Sequence, residues 1–176
     1  RGASASDDEV EDEAALKEAS ARGKEGRRFV RLGNLLRQRS RLKAAAIEYQ
    51  RATDIVGITS PALHNRLAGV LLETGDVERA KAVLQKTVAV FPDDPHTHVL
   101  LGRLAVRDEA WAEAQKQYER VTWENPFIPE VHVALLTVAD RLKDTALRAR
   151  EERAVQLLMG HSQHTPSSAL YIPEGQ

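Results

Sequence analysis

Residues 95–126 read PHTHVLLGRLAVRDEAWAEAQKQYERVTWENP. Asp94 and Pro95 form an N-cap followed by a first-turn proline, which has no N–H to leave unpaired at a helix start. His98, Leu101 and Ala105 then fall at helical spacing. Ala114 and Tyr118, four residues apart on one helical face, mark a second helix. Pro126 closes the stretch. The reading that decides the fold is therefore two short helices in about thirty residues.

The same stretch recurs on both sides. His64, His98 and His132 are 34 residues apart, and Pro61, Pro95 and Pro129 keep the same beat. The upstream copies are GRRFVRLGNLLRQRSRLKAAAIEYQRATDIVG (26–57) and PALHNRLAGVLLETGDVERAKAVLQKTVAVFP (61–92). The downstream copy is PEVHVALLTVADRLKDTALRAREERAVQLL (129–158). A fixed period of this length marks a stacked array of supersecondary units. Units start at Gly26, Pro61, Pro95 and Pro129. Ser60 is expected to cap like Asp94, and Thr74-Gly75-Asp76 gives a glycine turn with a new N-cap. Ala45, Ala80 and Ala114 are small where helices cross, with Tyr49, Leu84 and Tyr118 four residues on. Arg148 and Glu152 take those two places in the last unit, which fits a cap whose outer face meets water.

This pattern resembles the tetratricopeptide repeat over residues 26–159: a 34-residue helix-turn-helix period, Leu-Gly at 32–33 and 101–102, alanine at the second-helix crossing and proline at the end. The second unit departs by one residue, with Ala68-Gly69. The resemblance implies an all-α, right-handed superhelix of about four units and a non-catalytic scaffold or adaptor that binds a partner segment in its concave groove. ENPFIPEVHVALL (124–136) also resembles, loosely, the C-terminal repeats of larger multidomain bacterial proteins. The alternative this raises is an accessory domain of an enzyme such as a zinc-peptidase-like protein, positioning substrate or partner. Arg1, not Met, opens the chain, as expected of a fragment or a processed form.

Composition agrees with a helical binding module. Aromatics are only 5% of the chain, and there is no cysteine, which excludes disulfides, thiolate nucleophiles and Cys-ligated metal. Absence of cysteine fits cytoplasm and periplasm alike. No apolar run is long enough to cross a bilayer. No catalytic motif is present, and no cofactor or metal site is expected.

The histidines look at first like ligands. Zinc brings ligand nitrogens within ~3–4 Å of one another, whereas stacked helices lie ~8–10 Å apart. His96 and His98 point to different faces of one helix. His64, His98 and His132 occupy the place of Phe29 in the first unit, so packing is expected, with pH sensing the alternative. His161 and His164 are two candidate ligands in a polar tail, too few for a site. Trp111 is expected to pack between helices, and Trp123 and Phe127 to pack against the fourth unit.

Net charge is −1 but unevenly placed: residues 1–25 hold eight acidic and four basic side chains, and residues 26–60 two acidic and eight basic. The stripe beside the core positions of the first helices is arginine-rich. The expected partner groove comprises Arg27, Arg31, Asn34, Asn65, Arg66, Arg103, Arg107 and Arg141, with His96 and Leu100 on the same stripe. Guanidinium forks suit carboxylates, so an acidic peptide or protein is the expected partner; the alternative is a solvated face. The chaperone-binding repeats hold a terminal carboxylate with lysines and asparagines. Asn34 fits that pattern, but Val30, His96 and Leu100 stand at its cation positions, so that ligand is not expected. Arginines in RRFVRLGNLLRQRSRLK (27–43) raise anionic-polymer binding as a further alternative, but they lack interleaved aromatics, which argues against nucleic acid. Residues 1–25 form an acidic tail or a loosely held helix. Asp7–Glu13 either competes for the groove, within the chain or in a neighbouring molecule, or is a linker. Residues 160–176 form a polar tail. The charged last helix offers no apolar end, so a monomer is expected.

Overall fold

A computed structural model describes the backbone of residues 7–160 and the side chains from residue 17 onward; the tail histidines His161 and His164 lie outside the described residues. Within that range the chain forms α1 (Asp7–Gln38), α2 (Leu42–Val56), α3 (Pro61–Thr74), α4 (Val77–Val90), α5 (Pro95–Arg107), α6 (Trp111–Glu124), α7 (Pro129–Leu142) and α8 (Thr145–Gly160). Consecutive helices pack as hairpins, and each hairpin packs on the next. The helices α3 and α5 also touch directly, which makes the first helix of each unit the inner layer. Among the described residues no helix is long and apolar enough to cross a membrane.

Three of the expected unit starts, Pro61, Pro95 and Pro129, each open a helix. The first does not: α1 runs unbroken through Gly23 and Gly26. Gly26 is buried because α2 ends against it, where a Cβ would stand 2.5 Å from Val56 Cγ1. Arg22 Nη2 donates to the Ile55 carbonyl at 2.9 Å and ties α1 to the end of α2. The stretch 7–25 thus continues the first helix; Gly26 serves close packing and not a break, while a Cβ on Gly23 would meet only Arg27, at 3.6 Å.

Ala45, Ala80 and Ala114 are fully buried at the crossings, as the repeat pattern requires. Opposite them the inner helices vary in size to match. Gly33 faces the Tyr49 ring and Gly102 the Tyr118 ring, so closely that a methyl group would overlap either ring. In the second unit the partner is Leu84, which leaves room for Ala68, also fully buried. The one-residue departure at Ala68-Gly69 is this exchange of volumes.

The core is segmented. One cluster joins the first two units through Tyr49, Leu67 and Leu71, and another joins the last two through Tyr118, Leu135 and Val138. Only Ala68, Leu84 and Leu100 form the buried cluster between them.

Two capping expectations are corrected. Asp94 caps α5, accepting from Thr97 N at 2.7 Å, but Ser60 makes no side-chain cap and leaves Pro61 to open α3 alone. Asp76 does not cap α4 either; it accepts from Arg79 Nη1 at 3.0 Å, while Gly75 takes the left-handed turn at φ 83°. In the last unit Arg148 and Glu152 stay outside, paired with each other at 2.9 Å. Leu147 and Glu151, each one residue earlier, are buried instead. One residue is ~100° of helix, so α8 is turned to keep its ion pair in water.

Candidate functional site: an arginine-lined concave cleft

The inner helices leave clefts over the thinnest part of the core, between the second and third units. The central one, about 400 Å³, has an apolar floor of Ala62, Gly69, Val99 and Leu100 and is rimmed by Arg37, Arg66 and Arg103. It continues towards α1 in a cleft of about 430 Å³ formed by Asn34, Arg37, Gln38, Tyr49 and Arg66. On the other side a smaller one, about 230 Å³, reaches Arg107 past Glu73 and Arg103. The three share side chains and form one groove.

Local geometry fixes its walls. Asn65 on α3 is buried and fully engaged: its Nδ2 donates to Asp94 Oδ2 at 2.7 Å, and its Oδ1 accepts from Thr97 Oγ1 at 3.0 Å. The Thr97 hydroxyl also approaches Asp94 Oδ2 at 2.7 Å. This knot fastens α3 to the start of α5, directly below the central cleft. Burial acts to raise the Asp94 carboxyl. The hydrogen bonds from Thr97 and Asn65, together with the nearby His96, outweigh burial and hold Asp94 below its ordinary 3.8. Asn34 accepts from the Tyr49 hydroxyl at 2.8 Å. Burial raises the Tyr49 phenol above its ordinary 10, with Arg37 and Arg66 opposing it.

Of the groove residues expected from sequence, Asn34, Asn65, Arg66, Arg103 and Arg107 come together here. Arg27 lines a separate cleft with Arg22, Val30, Val56 and Leu63. Arg31 is exposed on α1 beside neither. Arg141 lies over the Trp111 ring, 5.2 Å from its centroid. The sequence reading missed Arg37, which lines two of the clefts and pairs with Glu73 at 3.3 Å. Its place on α1 one turn after Asn34, an expected groove residue, is the signal that could have found it. The carboxylates Glu73 and Asp94 are thus engaged, whereas Arg66, Arg103 and Arg107 make no ion pair among the described residues. What the groove offers is an apolar floor with unpaired guanidinium groups around it.

His64, His98 and His132 are buried, and the last two reach back to a carbonyl at the end of the preceding unit. His98 Nε2 lies 2.8 Å from the Pro92 carbonyl and Nδ1 2.6 Å from Gln117 Oε1. His132 repeats this with the Pro126 carbonyl at 2.9 Å and Glu151 Oε2 at 2.5 Å. His64, facing Val83 in register, reaches only the Ser60 carbonyl, at 3.2 Å. Among the described residues no group of three or more histidines and carboxylates stands together as a metal site. His96, by contrast, is exposed on the groove. Trp111 is half-buried and packed against the core cluster shared by the third and fourth units. The expectation for Trp123 and Phe127 is overturned: they are 87% and 74% exposed, because Ile128, not Phe127, turns into that core.

Residues 71–137 match the tetratricopeptide repeat family model. No curated protein sequence matches the chain. Among solved structures, MamA 41-end from Desulfovibrio magneticus RS-1 is 21% identical, with TM-score 0.69 over 80% of this chain and 78% of that one. The first tetratricopeptide repeat of Spaghetti (RPAP3), bound to the HSP90 peptide SRMEEVD, is 19% identical, with TM-score 0.65 over 69% of this chain and 96% of that one. A thermophilic protein of this kind in Thermus thermophilus, TTC0263, is 20% identical, with TM-score 0.64 over 77% and 75%. At these identities the likeness is one of fold.

Proposed function

We propose that the chain, part of which matches the tetratricopeptide repeat model, is a non-catalytic interaction module that holds an acidic segment of a protein partner in the groove between α1, α3 and α5. The observation that carries this is the pairing pattern: the groove's carboxylates are engaged while Arg66, Arg103 and Arg107 are not. A carboxylate entering the groove meets guanidinium groups with bonds to give, and the Gly69–Leu100 floor accepts an apolar side chain beside it. A solved structure of similar fold was determined bound to SRMEEVD, a peptide with three carboxylate side chains, which is consistent with a peptide-binding role for this fold.

The test is fluorescence anisotropy with a labelled peptide of alternating glutamate and leucine, against a glutamine analogue and a lysine analogue. Preference for the glutamate peptide, lost in the Arg66→Glu/Arg103→Glu double variant with its circular dichroism unchanged, is the expected result. Equal binding of all three peptides, or binding indifferent to the double reversal, rejects the groove. A steep salt dependence with preference for nucleic acid over peptide would favour anionic-polymer binding instead.

A further inference from the structure

The expectation of a monomer rests on the charged last helix, but the other end of the molecule is built differently. The helix α1 has 32 residues, about twice the length of its neighbours. The hairpin with α2 ends at Gly26 and Arg22, where Val56 and the Ile55 carbonyl meet it. The part from Asp7 to Ala21 therefore runs on past α2, a projection of about 22 Å at 1.5 Å per residue. Its first two turns spell DDEVEDE (7–13), six carboxylates in seven residues.

We propose that this acidic start of α1 in one copy docks in the arginine groove of a second copy, head to tail; the inference rests on the acidic-ligand reading of the groove. Charge complementarity selects the occupant. The chain carries its densest acidic run at one end, and three arginines without an ion pair, Arg66, Arg103 and Arg107, line the groove.

The contact is between copies because the fold forbids it within one. The groove's first wall is α1 itself, through Asn34 and Arg37. A continuous helix holds Glu13 and Asn34 about 32 Å apart. Folding back would require α1 to break after Glu13, giving up part of a continuous helix and, for a break at Arg22, its bond to the Ile55 carbonyl. A second copy meets no such obstacle. Each docked copy still presents an acidic start and an open groove, so the contact propagates instead of closing as a two-fold dimer.

Sedimentation velocity on the full chain tests this. Mass should rise with protein concentration at low salt and return to monomer at high salt. The groove variant Arg66→Glu/Arg103→Glu should stay monomeric. So should a chain with its acidic start neutralised, Asp7→Asn/Asp8→Asn/Glu9→Gln/Glu11→Gln/Asp12→Asn/Glu13→Gln. Mixed, the two variants should form a complex that stops at one copy of each, since one supplies only the acidic start and the other only the groove. Association should weaken by about tenfold or more in either variant alone. A wild-type chain that stays monomeric at every concentration, or associates equally after groove reversal, overturns the proposal. If the monomeric chain still binds the glutamate peptide, the groove reading stands and self-docking alone falls. If it binds neither, both fall.

Discussion

The Nδ1 atom of His132 on α7 lies 2.5 Å from Glu151 Oε2 on α8, with both side chains more than nine-tenths buried. The other ring nitrogen lies 2.9 Å from the Pro126 carbonyl, so the ring is held from both sides. Arg150 fastens the far side, donating to Glu151 Oε1 at 2.7 Å and to Glu119 on α6 at 2.6 Å. A helix with only one buried large apolar residue, Leu147, is thereby held by polar bonds.

Removing one partner of a buried pair strands the other. Glu151→Ala should therefore cost about 3–5 kcal/mol, detected as a lower urea midpoint. Glu151→Gln should cost far less, because in the unit before a glutamine, Gln117, already stands 2.6 Å from His98 Nδ1. Equal losses in the two variants would contradict this account of α8.

The same nineteen-residue interval sets Glu48 against Phe29 in the first unit. There the ring cannot hydrogen-bond, and Glu48 Oε2 is buried without a partner, while Oε1 only meets Arg51 at 3.5 Å. Phe29→His transplants the fourth unit's solution. It forfeits ring packing and the Arg51 contact over Phe29, 5.8 Å from the centroid, but supplies a bond to a buried carboxylate worth about 1.5–3 kcal/mol. Thermal melts should place Phe29→His within about 1 kcal/mol of wild type, and Phe29→Ala well below both.

Asp94 makes stability depend on acid. Its carboxyl is held below its ordinary value in the folded chain. A depressed carboxylate contributes stability that is complete above the unfolded value and is lost as pH falls through the folded one. Wild type should thus exceed Asp94→Asn in urea midpoint at neutral pH, and the gap should shrink as pH drops below about 4. A gap constant with pH would show that Asp94 acts only by shape.

Trp123 and Phe127 carry little of the fold, being mostly exposed. Trp123→Ser and Phe127→Ser should each change stability by no more than about 0.5 kcal/mol. Acrylamide should quench Trp111→Phe, which keeps only Trp123, more efficiently than Trp123→Phe, which keeps only Trp111.

What the sequence made legible was whatever repeats. The prolines that open helices, the alanines at crossings and the histidine positions all follow from one period. What it hid depends on who faces whom. Gly23 and Gly26 look like breaks until Val56 is placed against one of them. Asn65 looks like a ligand-binding amide until Asp94 and Thr97 are seen to use both of its ends. Trp123 looks like core because tryptophan usually is, and only the direction of Ile128 shows otherwise. In the groove, helical spacing named Arg66, Arg103 and Arg107 together with Arg27, Arg31 and Arg141, which lie elsewhere, and it missed both Arg37 and the cation–π contact between Arg141 and Trp111.

The glycines give the sharpest test of how sequence sets packing here. A Cβ on Gly33 would stand 2.6 Å from Tyr49 Cε1, and one on Gly102 would strike the ring of Tyr118, buried like Tyr49 with no room to retreat. Either alanine variant should cost about 1–3 kcal/mol from overpacking, despite the better helix propensity of alanine. Gly69 is different, since its Cβ would meet only Leu100 Cδ2, at 4.0 Å. Gly69→Ala should stabilise by up to about 1 kcal/mol. The second unit also supplies the repair: Ala68 against Leu84 is the natural pair of the other sizes. Tyr118→Leu should therefore restore much of what Gly102→Ala loses, a coupling a double-mutant cycle in urea would measure. Additive losses would mean that the ring and the glycine were never in each other's way.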